Sequence, residues 1–211
     1  MKTICVNAHK RICALVLTSF CLLGFSSCSL AFEILDELLF YETSTENSGE
    51  SDNSNTSKSD DSNLPAGGCP SQLAATAFEY AKKYAAADTQ YKLGAQDPLR
   101  AIQVDCSGLV VRCYGYALQN SGYTLLKSDM TSSDMYQKYS IPTNSPRRGD
   151  LVFMTYDNSK VSHVGIFDRF DGNQVYFIDA IDQGKGKCVT ERHYSKTDRK
   201  IVGYGIMKVK N

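Results

Sequence analysis

The sequence predicts an α+β domain, helices first and strands afterwards, behind a long segment that no core could use. Three observations carry this. Apolar residues recur at helical spacing from Ser71 to Ala87 and again from Cys106 to about Asn120. From Leu151 onward the apolar segments become short, β-branched and aromatic, with turn-forming residues between them. Ahead of Cys69 lies a run rich in Ser, Asn, Asp and Glu. This order predicts N-terminal helices packed on one face of an antiparallel sheet.

The first 28 residues read as a targeting segment. Lys2, Lys10 and Arg11 precede an apolar run from Ile12 to Phe25, too short to cross a bilayer comfortably and the size of a signal-peptide core. The run closes on LLGFSSCS, where small residues lead into Cys28. Export is therefore expected, and export places the chain away from nucleic acid.

Residues 29–68 begin with SLAFEILDELLFYE and continue as TSTENSGESDNSNTSKSDDSNLPAGG, the composition of a disordered tether. This segment holds nine acidic residues and one lysine, a net of −8, whereas residues 69–211 hold 19 basic and 14 acidic residues, a net of +5. A formal charge of zero thus hides two unlike halves. Tether solubility with ordinary surface lysines explains this, as does steering toward an anionic polymer. The basic residues are scattered rather than clustered, so no nucleic-acid partner is expected.

Residues 69–211 have the size of one domain and show no internal repeat. Ser71 is placed to cap a helix through Ala87, with Leu73, Ala77, Tyr80 or Ala81, and Tyr84 on one stripe. Asp105 is placed to cap a second, from Cys106 to about Asn120, with Leu109, Val110, Cys113 and Ala117 inward and Gly122 beyond its end. LVFMTY, HVGIFDRF, QVYFIDA and IVGYGIMKV then read as the strands of an antiparallel meander.

The chemistry concentrates in VDCSGLVVRCYGYAL. A cysteine in the first turn of a helix meets the partial positive charge of unpaired backbone amides, which favours thiolate over thiol. Those amides also point outward, where one can donate to the oxyanion formed when sulfur attacks a carbonyl. Cys106 is the candidate nucleophile, and Cys113, two turns on, reads as a buried core residue. Beyond residue 28 only His163 and His193 could serve as base. His163 opens the strand HVGIF, while His193 sits in ERHYSKTDRK, a polar run that reads as a surface loop. A base needs a polar partner to orient it. A hairpin turning about Asp171 with equal offsets sets Asp179 opposite His163 on one sheet face. A slip of one residue would carry Asp179 to the other face.

DCSGL, GDLVF and SHVGIF together resemble the hallmark segments of the NlpC-type cysteine peptidases, papain-like enzymes that trim bacterial cell-wall peptides. The resemblance covers about Ser71 to the C-terminus. It implies a papain-like fold, with Cys106, His163 and Asp179 as the catalytic positions, although the family's third residue is most often a second histidine. YKLGAQ resembles the family's Tyr-x-x-Gly-Gly segment, with Ala95 in the second glycine position. This implies that Tyr91 lines the pocket near the thiol and that Asp105 helps hold the substrate's amino group, unless Asp105 is only a helix cap. Ser107 would add a hydrogen bond in the same pocket. LLGFSSCS resembles the lipobox at which bacterial lipoproteins are acylated, which implies lipidation at Cys28 and an anchor on the cell envelope rather than a span. Phe25 stands there in place of the usual aliphatic residue, and an ordinary signal peptide cut nearby remains the other reading.

The reaction so implied is hydrolysis of a wall stem peptide, usually between γ-D-glutamate and a diamino acid, by a monomer without cofactor. Two rival readings stay open: a lipid-directed acyl hydrolase on a related scaffold, and a non-catalytic wall-binding lipoprotein. A metal site is not expected, because no Cys-x-x-Cys or His-x-x-x-His spacing occurs in the domain. Export permits disulfides. Cys69 and Cys188 are the two cysteines left for one, though nothing in the sequence brings them together.

Overall fold

The computed structural model of the chain describes residues 67–99, 102–157, 159–184 and 186–211. These belong to the second of two compact units, Thr56–Asn211. The signal-peptide, Cys28 and acidic-tether readings lie outside the described residues, apart from the last two tether positions. Those two, Gly67–Gly68, form strand β1, which pairs with Val209 and Lys208. The sheet thus takes in two residues ahead of Cys69, where the sequence placed the boundary.

Helix α1 spans Ser71–Ala86, and its buried stripe is Ala74, Ala77, Phe78, Ala81 and Tyr84. Ser71 is not its cap. Pro70 holds that position, with no side-chain cap bond, so Ser71 is the first helical residue. The preset φ of proline makes the helix entry rigid without a hydroxyl partner. Two short strands, β2 (Gln90–Tyr91) and β3 (Gln103–Val104), pair in parallel and lead into helix α2, Cys106–Leu118. Leu109, Val110, Cys113 and Ala117 of α2 are all buried, as their spacing predicts. Asn120, at φ 57°, and Gly122, at φ 79°, both take left-handed backbone just beyond the helix end, Gly122 where the sequence reading placed it. The two helices meet through stacked Tyr80 and Tyr116 rings, 4.8 Å apart.

A connecting region follows, with β4 (Thr124–Leu125), the short helix α3 (Ser132–Asp134) and a π-helical turn, Met135–Tyr139. The main sheet is then built from β5 (Ser140–Thr143), β6 (Leu151–Met154), β7 (His163–Asp171), β8 (Gln174–Ala180), β9 (Val189–Ser195) and β10 (Ile201–Lys210). Its order among the described residues is β1-β10-β6-β7-β8-β9, with β4 and β5 also pairing β10, and its ladders are antiparallel. β6, β7 and β8 form the expected meander, but its fourth strand is β9 rather than IVGYGIMKV, which as β10 returns to pair β6 on the other side. Helices first and an antiparallel sheet after them make this an α+β, papain-like domain.

The segment around His193 is where sequence and structure part. It is not a loop but edge strand β9, with His193 exposed opposite Tyr176. An edge strand can carry charge at most positions, because only one side of it is paired.

Cys69 and Cys188 are both free and buried. Cys69 precedes α1 and donates its backbone N–H to Met207, while the Cys188 N–H donates to Thr89, just past the far end of the same helix. Sixteen helical residues separate the two sites, about 24 Å of axis, so α1 holds them far beyond bonding range.

Candidate active site

Cys106 opens α2 with Asp105 as its cap. One Asp105 oxygen accepts from the Gly108 N–H at 2.7 Å and from the Ser107 hydroxyl at 2.9 Å, and the other accepts from the Gly94 N–H at 2.7 Å. Three donors thus occupy the carboxylate, and Ser107 is spent on it as well. These contacts are those of the cap reading, the second of the two the sequence left open. They also clamp the YKLGAQ loop to the helix mouth, where the Asp105 N–H donates to the Ala95 carbonyl. Gly108 makes the approach possible. A Cβ there would stand 2.1 Å from the Ala95 carbonyl oxygen, closer than any side chain allows. The loop so held carries Tyr91 toward the thiol, and burial, followed by the charges of Cys106 and Asp105, pushes its phenol up to about 12.

His163 is 4% exposed and begins β7, paired with Met154 of β6. Its Nε2 lies 2.6 Å from Oδ2 of Asp179, which is fully buried. That contact leaves Nδ1 as the nitrogen able to meet Cys106, which interacts with the same imidazole and is itself 7% exposed. Burial works against an imidazolium here. The hydrogen bonds to Asp179 and Cys106, with the charges of both, outweigh burial and raise His163 from 6.5 to about 9.

The expected hairpin register is wrong, although the two side chains meet. The turn lies between Asp171 and Gln174, not about Asp171, so near the tip Asp171 pairs with Gln174 and Phe170 with Val175. Continued regularly, that ladder would set Asp179 opposite Ile166, on the face away from His163. A bulge between Phe167 and Arg169 adds one residue, Asp168, and shifts the pairing to Phe167 with Phe177 and Ile166 with Ile178. One step further, Asp179 stands opposite Gly165. It therefore shares the face of His163 as a diagonal neighbour rather than as its direct partner.

Two further side chains belong to the cluster and escaped the sequence reading. Arg192 of β9 donates from Nε to Oδ1 of Asp179 at 2.8 Å and from Nη2 to Oδ2. Tyr156, half exposed, sets its ring 5.3 Å from that of His163 and accepts from Arg192 Nη2 at 3.3 Å. The alternation Thr190, Arg192, Tyr194 in VTERHYS was the available signal for Arg192. Nothing in the sequence marked Tyr156. Asp182 and Gln183, just past the end of β8, line a polar cleft of about 370 Å³ with Asp88, Gln90, Tyr91 and Cys188.

A helix-mouth cysteine, a strand histidine and a buried carboxylate thus come together on an α+β, papain-like scaffold. The family comparison makes this specific: the NlpC/P60 family matches residues 88–202, more than half of the chain, and the protein belongs to that family. Among solved structures, a lipoprotein-like member of the NLP/P60 family from Staphylococcus aureus is 24% identical, with a TM-score of 0.43, covering 70% of this chain and 44% of its own. The NlpC/p60 domain of the peptidoglycan hydrolase SagA is 23% identical, with a TM-score of 0.40, covering 63% of this chain and 97% of its own. Ly7917 is 13% identical at a TM-score of 0.40, covering 62% of each chain. This chain thus spans less than half of the staphylococcal protein. No curated protein matches it. Family membership rests on the family match alone.

Proposed function

We propose that this protein is a cell-wall hydrolase, a cysteine endopeptidase that cuts peptidoglycan stem peptides at a γ-D-glutamyl–diamino acid bond. The observation that carries the reading is the placement of the His163 imidazole: its Nε2 lies 2.6 Å from the buried carboxylate of Asp179, and the same ring interacts with Cys106 at the mouth of α2. In this reading His163 takes the Cys106 proton and the sulfur attacks the peptide carbonyl, with first-turn amides of α2 donating to the oxyanion. The imidazolium then gives its proton to the leaving amine, and water, activated by the neutral imidazole, resolves the thioester. Tyr91 is proposed to line the pocket beside the sulfur. Asp105 and Ser107 contribute by fixing the helix mouth and the YKLGAQ loop.

Lipidation at Cys28, and with it a membrane-tethered monomer acting in the cell envelope, belongs to the same proposal and is supported by the sequence pattern. Mass spectrometry of the mature N-terminus tests it, since an unmodified residue after position 28 would end it.

The test of the chemistry is incubation of the protein and of Cys106→Ala with purified stem peptides and, separately, with phospholipid vesicles. Cleavage of the peptides alone, lost in Cys106→Ala with the fold retained, is the expected result. Cleavage of phospholipid would favour the acyl-hydrolase reading, and wall binding without cleavage the non-catalytic one.

A further inference from the structure

Asp179 is fully buried, and a buried carboxylate with one neutral neighbour is costly. His163 is such a neighbour for part of the proposed cycle, since it must lose its proton to the leaving amine. A second partner is present throughout. Arg192 grips both oxygens of Asp179 in a fork. The fork is itself held: Nη1 donates to the Tyr194 hydroxyl at 2.9 Å, and the guanidinium lies over the Phe177 and Tyr194 rings, 5.5 and 5.4 Å from their centroids. Its side chain is only 20% exposed. Register explains the reach, because Arg192 pairs with Phe177, two residues from Asp179 on the same face of β8.

We propose that Arg192 is a positioning residue of this site: it fixes the Asp179 carboxylate that orients His163 and supplies a counter-charge to that buried carboxylate when His163 is neutral. The proposal rests on the reading of Cys106 and His163 as nucleophile and base. The fork presents Oδ2 to the imidazole at one angle, which a point charge could not do. Its positive charge also opposes a second one on His163, so the imidazole can release its proton to the leaving group. The other groups facing His163 are Asp179, the Cys106 thiol and the Tyr156 ring.

The experiment is a pH titration of the His163 ring Cε1 proton by NMR in the full chain without substrate, assigned by its loss in His163→Gln. In Arg192→Met the titration midpoint moves up by about one pH unit, because a nearby positive charge is gone and neutral His163 would leave Asp179 unpaired. Arg192→Lys keeps the charge and leaves the midpoint near that of the parent. It also keeps the proposal testable should Arg192→Met fail to fold. An unchanged or lowered midpoint in Arg192→Met, or a shift in Arg192→Lys as large, overturns the proposal. Because no substrate is present, this readout survives even if the peptide assignment fails.

Kinetics on a purified stem peptide give the second arm. Arg192→Met lowers kcat by roughly 10- to 100-fold with little change in KM, the scale seen when an outer orienting partner is lost. The same change made on Asp179→Ala alters kcat by less than about twofold, because the residue it acts through is gone. Losses that multiply in the double variant would show that Arg192 acts elsewhere and would also overturn the proposal.

Discussion

Gly165 stands opposite Asp179 across the β7–β8 ladder, and its missing side chain leaves the space through which the carboxylate leans two residues along β7 to His163. A Cβ at position 165 would lie 3.0 Å from the Phe177 ring, 3.2 Å from the Asp179 Cβ and 3.2 Å from the Ile178 carbonyl. Two of these neighbours belong to the core or the backbone, so the side chain best able to yield is Asp179. Gly165→Ala is therefore expected to fold with a loss of about 1–3 kcal/mol, the usual range for overpacking, and to lose activity out of proportion to that loss. Urea unfolding and stem-peptide turnover, measured together, check it. Turnover unchanged in a destabilised variant would mean that the space serves packing alone.

His163 has a stability signature that His193 lacks. Its pKa is raised in the folded chain, from 6.5 to about 9, so the fold holds this proton more tightly than the unfolded chain does. The stabilisation is whole below pH 6.5 and is lost as pH rises through 9. Urea midpoints should fall across that window in the parent and fall less in His163→Gln. In activity, His163→Ala should cost several orders of magnitude, as loss of the base of a coupled pair does, whereas His193→Ala, at an exposed edge-strand position beside Tyr176, should change little. Equal losses in the two would put the base elsewhere.

Asp105 can be separated from the substrate by its thermodynamics. Removing a carboxylate that caps α2 and holds Gly94 and Ser107 leaves three donors without their partner, so Asp105→Ala should cost roughly 1–3 kcal/mol and Asp105→Asn less. Denaturant midpoints test this directly. A raised KM with unchanged stability would instead return Asp105 to the role of holding the substrate's amino group.

The cysteines of the folded unit should all be counted as free thiols. Cys69 and Cys188 sit at opposite ends of α1, and Cys113 is buried one helix face away from solvent. Counting thiols on the unfolded, unreduced mature protein should give one for each of Cys69, Cys106, Cys113 and Cys188. A missing pair would require a rearranged helix.

The sequence by itself determined the α+β order, the capped helix that begins at Cys106, four main strands of the sheet, and His163 over His193 as the candidate base. Each of these is local. A cap followed by an apolar run at helical spacing, or alternation between turn residues, is written within about fifteen neighbouring positions. Only the tertiary structure decided how Asp179 reaches His163, because that depends on a turn displaced from Asp171 and a bulge at Asp168, two local errors of count that combine to restore the shared face. It also decided the Arg192 fork, since that contact joins two strands through a third residue's register and β9 carries its charges as an edge strand. Side-chain meetings of this kind depend on the summed register of several ladders, in which one added residue reverses every face, and no window of sequence holds that sum.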